Sequence, residues 1–131
     1  MATVQPEQVD FMVVDDDHRI CEMLTTYFES QGRSAIWLQD PTKLLPWLQL
    51  NHCSAIILDI EMPGIDGLSL LTEIRRRHPD VPVIMYTGAG YNEAKLQTAL
   101  RAGANGYVSK GLPASETYAA VMRAVSQSGA G

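Results

Sequence analysis

The segment that most constrains the fold is residues 55–67, AIILDIEMPGIDG. Its first four residues are apolar at every position, which is typical of a strand buried on both faces, as in a parallel sheet covered by helices. The run ends on Asp59, and open α/β sheets bind ligands at the carboxyl ends of their strands. Pro63, Gly64 and Gly67 then predict tight bends that direct the chain away. Asp59 alone is ambiguous, because an acid at this position could also cap the next helix.

The composition limits the class of protein. A chain of 131 residues with 46% apolar and 19% charged residues fits one globular domain with its own core. No apolar run approaches the roughly 20 residues of a membrane span, and no signal peptide is evident, so we expect a cytoplasmic protein without a membrane partner. A net charge of minus five argues against direct nucleic-acid binding. Cys21 and Cys53 lack metal-like spacing and are expected to be reduced core residues.

Hydrophobic patterns alternate between strand and helix along the whole chain. The predicted strands are residues 9–14, 34–38, 55–58, 81–87 and 106–109, and the predicted helices are residues 18–31, 40–51, 67–78, 92–102 and 114–128. This order implies an α/β fold with a parallel five-stranded sheet and helices on both faces. We expect one domain at residues 9–128, a loose lead-in at residues 1–8, and a tail or linker start at residues 129–131.

Two helices carry specific expectations. Pro46 lies inside the second helix, which predicts either a kink or a helix that begins near this proline. In the fourth helix, Leu96, Ala99 and Leu100 are expected to face inward.

Polar residues follow four of the predicted strands. Asp15 and Asp16 follow the first strand, Asp59 the third, Thr87 the fourth and Lys110 the fifth. Because the carboxyl ends of parallel strands meet at one rim of the sheet, we expect these side chains to lie close together. Each has a plainer alternative: the acids could cap helices, the threonine could begin a helix, and the lysine could be a solvated loop residue.

Together, these residue types fit phosphoryl chemistry. Three crowded carboxylates repel one another, and a hard divalent cation such as Mg²⁺ relieves that repulsion through oxygen ligands. A lysine and a hydroxyl add a positive charge and a hydrogen-bond donor, which complete the set that stabilises a phosphoryl group. Asp59 is the sole acid that ends its strand, so it is the candidate nucleophile for an acyl phosphate.

Four motifs resemble the response regulator receiver domain. They are VVDDD at residues 13–17, LDIEMPGIDG at 58–67, PVIMYTG at 82–88 and GANGYVSK at 103–110. Their order and spacing match the family and cover nearly the whole chain. The resemblance implies a flavodoxin-like three-layer sandwich with strand order 2-1-3-4-5.

The resemblance also assigns roles to single residues. It implies that Asp59 is the phosphoacceptor and that Thr87 and Lys110 contact the phosphoryl oxygens. Tyr107 resembles an aromatic residue that turns inward when the threonine moves, although an aromatic residue in a strand is commonly a core residue. The magnesium ligands that it implies are Asp15, Asp16, Asp59 and the backbone carbonyl of Glu61.

By this resemblance the protein is a phosphorylation-dependent signalling switch, which catalyses only its own phosphorylation and dephosphorylation. The implied partners are a histidine kinase or a histidine phosphotransfer protein, and a downstream protein or a covalently linked output domain. In this family helix 4, strand 5 and helix 5 often form a homodimer face.

Two alternatives to the signalling switch stay open. One is a receiver-like binding module that is never phosphorylated. The other is a haloacid dehalogenase-type phosphatase, which the acceptor on the third strand disfavours.

Two departures from the family pattern carry expectations. Gly111 stands where the family usually has a proline in cis, which predicts a less rigid loop around Lys110. Gly88 and the small residues after it predict an open, mobile loop at residues 87–91. Within the family pattern, Glu61 follows the acceptor by two residues, so we hypothesise that its negative charge affects the lifetime of the phosphoryl group.

Overall fold

The computed structural model describes residues 8–88 and 92–127. The strands are β1 (Gln8–Val14), β2 (Ala35–Leu38), β3 (His52–Asp59), β4 (Glu61–Met62), β5 (Ile65–Asp66), β6 (Val83–Thr87) and β7 (Gly106–Ser109). The helices are α1 (His18–Ser30), a 3-10 turn (Pro41–Lys43), α2 (Leu44–Leu50), α3 (Gly67–Arg77), α4 (Glu93–Arg101) and α5 (Ala114–Gln127). Most of the predicted lead-in, residues 89–91 of the predicted loop at 87–91 and the predicted tail lie outside the described residues.

The main sheet is parallel and has the predicted order. Its five strands run β2-β1-β3-β6-β7, which is the order 2-1-3-4-5 once the short hairpin β4–β5 is set aside. In register, Asp59 lies opposite Tyr86, and Thr87 lies opposite Ser109. The ends of the three neighbouring strands are therefore level, and the residues that follow them share one rim.

Two apolar cores explain why the AIIL run is apolar throughout. Ala55 and Ile57 belong to the core beneath α1 and α5, whereas Ile56 and Leu58 belong to the core on the other face, beneath α2, α3 and α4. Successive strand residues point to opposite faces, so a strand covered by helices on both sides has no solvent-facing position. The three-layer α/β sandwich is confirmed.

Several element boundaries differ from the predicted ones. β3 begins at His52, before the apolar run, because its pairing with β1 starts there. β6 begins at Val83, after Pro82, which has no N–H for the sheet ladder. α2 begins at Leu44, so the alternative of a helix starting near Pro46 is confirmed. The proline lies in the first turn, where its missing N–H is not needed.

The inward face of α4 is narrower than predicted. Ala99 is buried and Leu96 is half-buried, but Leu100 is 43% exposed, so its predicted inward orientation is wrong. Ala99 and Leu100 are adjacent, and successive residues of a helix point about 100° apart. Only one of the two therefore faces the sheet.

Two glycines shape the connection that follows Asp59. Gly64 has a φ of 77°, in the left-handed region that favours glycine, at the turn of the unpredicted hairpin β4–β5. At Gly67 a Cβ atom would lie 2.6 Å from the carbonyl oxygen of Asp59. Glycine therefore lets the first turn of α3 pack directly on the strand end that carries the acid.

Arg75 links the loops at the amino ends of β6 and β7, the end of the sheet away from Asp59. It belongs to the Arg triplet that ends α3, but its guanidinium is turned toward neighbouring loops. It donates hydrogen bonds to the carbonyl oxygens of His78, Pro79, Val81 and Gly103 and to Oδ1 of Asn105. These contacts join the loops that lead into β6 and β7, the strands that carry Thr87 and Lys110 at their far ends.

The cysteines and the lengths of the helices bear on two expectations from composition. Cys21 and Cys53 are free and buried, as predicted. Among the described helices none is long and apolar enough to cross a membrane; α5, for example, has 14 residues.

Candidate functional site

Lys110 bridges two buried acids at the carboxyl ends of the strands. Asp15 and Asp59 are each 1% exposed, although aspartates are almost never buried without a partner. The Lys110 Nζ lies 2.8 Å from Asp15 Oδ2 and 3.2 Å from Asp59 Oδ2. The structure therefore brings together three of the residues that the sequence placed at this rim, and the solvated-loop alternative for the lysine is wrong.

Backbone groups orient both carboxylates. Asp15 Oδ1 accepts a hydrogen bond from the Asp17 N–H at 2.9 Å, and Asp59 Oδ1 accepts one from the Glu61 N–H at 3.0 Å. The helix caps are other residues: Asp17 caps α1 and Asp66 caps α3. The helix-cap alternative for Asp15 and Asp59 is therefore wrong, and each keeps an oxygen directed at the lysine.

An acidic trio at this rim suits a hard cation. Asp16 is exposed and lies beside the two buried acids, and one carboxylate oxygen from each of the three lies within 4.8 Å of the others. Asp15 Oδ2 is buried and has no well-aligned hydrogen-bond donor among the described residues; its contact with Lys110 is an ion pair. Oxygen ligands of this kind, open on one side to solvent, fit Mg²⁺.

Burial and charge change the ionisation of the pair. Burial raises the pKa of Asp59 to about 6; the negative charge of Asp15 adds to this, whereas the Glu61 N–H and Lys110 oppose it. Burial alone would lower the pKa of Lys110, but its contacts with Asp15 and Asp59 outweigh burial and raise it. Near pH 7 the acid is therefore mostly ionised and can act as a nucleophile, next to a charged ammonium.

Thr87 is linked to α4 through the side chain of Glu61, and the partner on that helix, Lys95, was not predicted. Its hydroxyl is buried and donates a hydrogen bond to Glu61 Oε1 at 3.2 Å. The same Glu61 oxygen lies 3.5 Å from Nζ of Lys95 on α4. Lys95 is 34 residues from Glu61 in sequence and lies in no motif, so only the packing of α4 reveals it.

Tyr107 packs against the edge of the core. Its side chain is half-buried and packs against the core beneath α2, α3 and α4. Its hydroxyl is buried and has no hydrogen-bond partner in the described part of the chain. The ring therefore lies at the edge of this core, and its movement during switching stays a prediction.

Backbone hydrogen bonds anchor the turn that carries the lysine. The Lys110 N–H donates to the Thr87 carbonyl at 2.7 Å, which joins the turn to β6. The Gly111 N–H donates to Ser109 Oγ at 3.1 Å, a hydrogen bond that a proline at this position could not make. The lower rigidity expected of this loop stays a prediction.

The fold agrees with comparisons to known proteins. A family model of the response regulator receiver domain matches residues 11–122. The regulatory protein VanRc of Enterococcus gallinarum is 35% identical over 99 residues, which are 76% of this chain and 42% of that protein. The DNA-binding transcriptional regulator NtrC of Klebsiella pneumoniae is 35% identical over 114 residues, which are 87% of this chain and 24% of that protein.

Solved structures give the same result. The receiver domain of NtrX from Brucella abortus superposes with a TM-score of 0.83 at 30% identity, covering 90% of this chain and 99% of that one. The receiver domain of the Francisella response regulator 1452 has a TM-score of 0.83 at 26% identity, covering 91% of this chain and 98% of that one. The chain spans less than half the length of the two curated relatives named above. The protein belongs to the response regulator receiver domain family.

Proposed function

We propose that this domain is a phosphorylation-dependent switch of a two-component system, in which Asp59 accepts a phosphoryl group. The observation that carries the proposal is the position of the Lys110 ammonium between the buried carboxylates of Asp15 and Asp59, within 3.2 Å of both. A fixed positive charge beside a buried nucleophile is the arrangement that phosphoryl transfer requires.

The proposed reaction starts from a phosphohistidine on a histidine kinase or a phosphotransfer protein. A carboxylate oxygen of Asp59 attacks phosphorus, the P–N bond breaks, and its electron pair returns to the imidazole. Lys110 and the Thr87 hydroxyl then contact the phosphoryl oxygens. Bound Mg²⁺ would neutralise charge on the carboxylates and the phosphoryl group. Its proposed ligands are Asp15, Asp16, Asp59 and the backbone carbonyl of Glu61.

The proposed output surface lies next to α4. The contacts from Thr87 through Glu61 to Lys95 give a direct connection between the site and this helix. Recruitment of Thr87 to the phosphoryl group would break its hydrogen bond with Glu61 and so change the surface of α4, β7 and α5. We propose that a downstream protein, a linked output domain or a second copy of the domain binds there.

Phosphorylation from a small donor tests the proposal. The protein is incubated with Mg²⁺ and acetyl phosphate, and its intact mass is followed. We expect one phosphoryl group per chain, labile to base and absent when EDTA removes the metal. No gain in mass would refute the switch and favour the binding-module alternative. Continuous release of many equivalents of phosphate would favour the phosphatase alternative.

Glu61→Gln is expected to slow loss of the phosphoryl group about threefold. The substitution keeps the size of the side chain and removes a negative charge next to Thr87, and a single charge near a protein surface is worth about 1 kcal/mol or less. Without that charge, the threonine is freer to contact the phosphoryl group. Decay is measured by intact mass after removal of acetyl phosphate. Glu29→Gln is the matched control, because Glu29 is an exposed residue of α1. An unchanged decay rate in Glu61→Gln contradicts the hypothesis.

A further inference from the structure

Lys110 has contacts beyond its two carboxylate partners. Its Nζ lies 5.7 Å from the centre of the Tyr86 ring, within the range of a cation–π interaction. Its Cδ lies 3.7 Å from the position that a Cβ atom on Gly88 would take, so the stem runs along the backbone at the end of β6. The ammonium is thus surrounded by an aromatic ring and two carboxylates.

Tyr86 presents its aromatic ring to Lys110. The side chain is fully buried in the core beneath α1 and α5. The hydroxyl interacts with the buried side chain of Thr117 on α5, although the two groups make no well-aligned hydrogen bond. The ring offers a flat, electron-rich face to the neighbouring lysine.

The ring supplies a contact that does not depend on the state of Asp59. Once Asp59 carries a phosphoryl group, its Oδ2 no longer offers the same charge to Lys110. Tyr86 lies opposite Asp59 in the sheet register and is fully buried, so its ring is held by core packing and not by the acid. The side chain of Lys110 is only 19% exposed, so a cation–π contact of its ammonium is stronger than one on an open surface.

We propose that Tyr86 is a positioning residue for Lys110, whose ring holds the ammonium where it meets the phosphoryl oxygens. The proposal rests on the proposed function of Asp59.

Substitutions at Tyr86 separate the ring from the hydroxyl. Tyr86→Phe keeps the ring, and we expect its rate of phosphorylation by acetyl phosphate with Mg²⁺ to stay within about twofold of the wild-type rate. Tyr86→Leu removes the ring, and we expect a rate about tenfold lower, which corresponds to about 1.4 kcal/mol. Thermal unfolding of each variant checks that the fold is retained. Equal rates in the leucine and phenylalanine variants would overturn the proposal.

Fluorinated phenylalanines at position 86 provide a test that a packing role cannot mimic. Replacing Tyr86 by phenylalanine with zero, one, two or three ring fluorines keeps the shape and progressively weakens the negative face of the ring. We expect the phosphorylation rate to fall stepwise along this series, about fivefold in total. A flat series would overturn the proposal even if Tyr86→Leu does not fold. If the wild type is not phosphorylated, the proposed function of Asp59 fails, and the role of Tyr86 fails with it. If the wild type is phosphorylated but the series is flat, only the role of Tyr86 fails.

Discussion

Asp59→Asn is expected to abolish the phosphoryl gain and, without metal, to be more stable than the wild type at neutral pH. An amide cannot attack phosphorus as a carboxylate does, so no acyl phosphate forms. The gain in stability follows from the buried position of the acid, which is 1% exposed and has a pKa raised by burial to about 6.

The sign of the pH dependence follows from this raised pKa. Between about pH 4 and pH 6 the unfolded chain releases a proton from Asp59 that the folded chain retains, so the free energy of unfolding falls as the pH rises. The asparagine variant does not titrate and avoids this loss. We expect it to be more stable by about 2 kcal/mol at pH 7.5 and to have nearly wild-type stability below pH 4.

Urea unfolding in EDTA at pH 4 and pH 7.5 measures this effect, and intact mass with acetyl phosphate and Mg²⁺ measures the loss of phosphorylation. Asp66→Asn is a matched control, because Asp66 is an exposed acid that caps α3 and asparagine caps helices equally well. It should be phosphorylated like the wild type. A phosphoryl gain in Asp59→Asn, or lower stability than the wild type at pH 7.5, contradicts the assignment.

Lys110→Met is expected to reduce the rate of phosphorylation by acetyl phosphate by about 100-fold or more. Methionine keeps much of the stem but removes the charge that lies 3.2 Å from Asp59 Oδ2. Removal of one preorganised group that stabilises transition-state charge typically costs a factor of 100 to 1,000, or about 3 to 4 kcal/mol.

The same substitution is expected to destabilise the protein by about 3 kcal/mol in EDTA. It leaves the buried carboxylates of Asp15 and Asp59 without their cation, and a buried charge that loses its partner is costly. The raised pKa of Lys110 means that its contribution is fully present at pH 7 and is lost only as the pH rises through that raised value. Mg²⁺ should restore part of the stability of the variant, because it supplies positive charge to the same acids.

Phosphorylation rates and urea unfolding with and without Mg²⁺ test both effects. Lys43→Met is the matched control, because Lys43 is an exposed lysine of the 3-10 turn, an element that carries none of the site acids. A Lys110→Met protein that is phosphorylated at the wild-type rate would exclude the proposed role of the ammonium. Unchanged stability in EDTA would show that the buried acids do not need the lysine.

The fold was predictable because its local patterns agree with one another. The AIIL run requires apolar surroundings on both faces, and the alternation of five strands with five helices supplies them. The errors lie where tertiary packing decides. The exposure of Leu100 depends on which side of α4 faces the sheet, and the start of β3 depends on how far β1 extends beside it.

The sequence by itself determined which residue types reach the rim. In a parallel sheet the carboxyl end of every strand faces the same way, so Asp15, Asp59, Thr87 and Lys110 follow from strand order alone. The tertiary structure decided which of them touch. It placed the ammonium between two carboxylates, turned the Glu61 side chain toward Thr87 and Lys95, and set the Tyr86 ring beside Lys110. These contacts depend on side-chain rotamers and helix packing between residues distant in sequence, for which a local pattern holds no information.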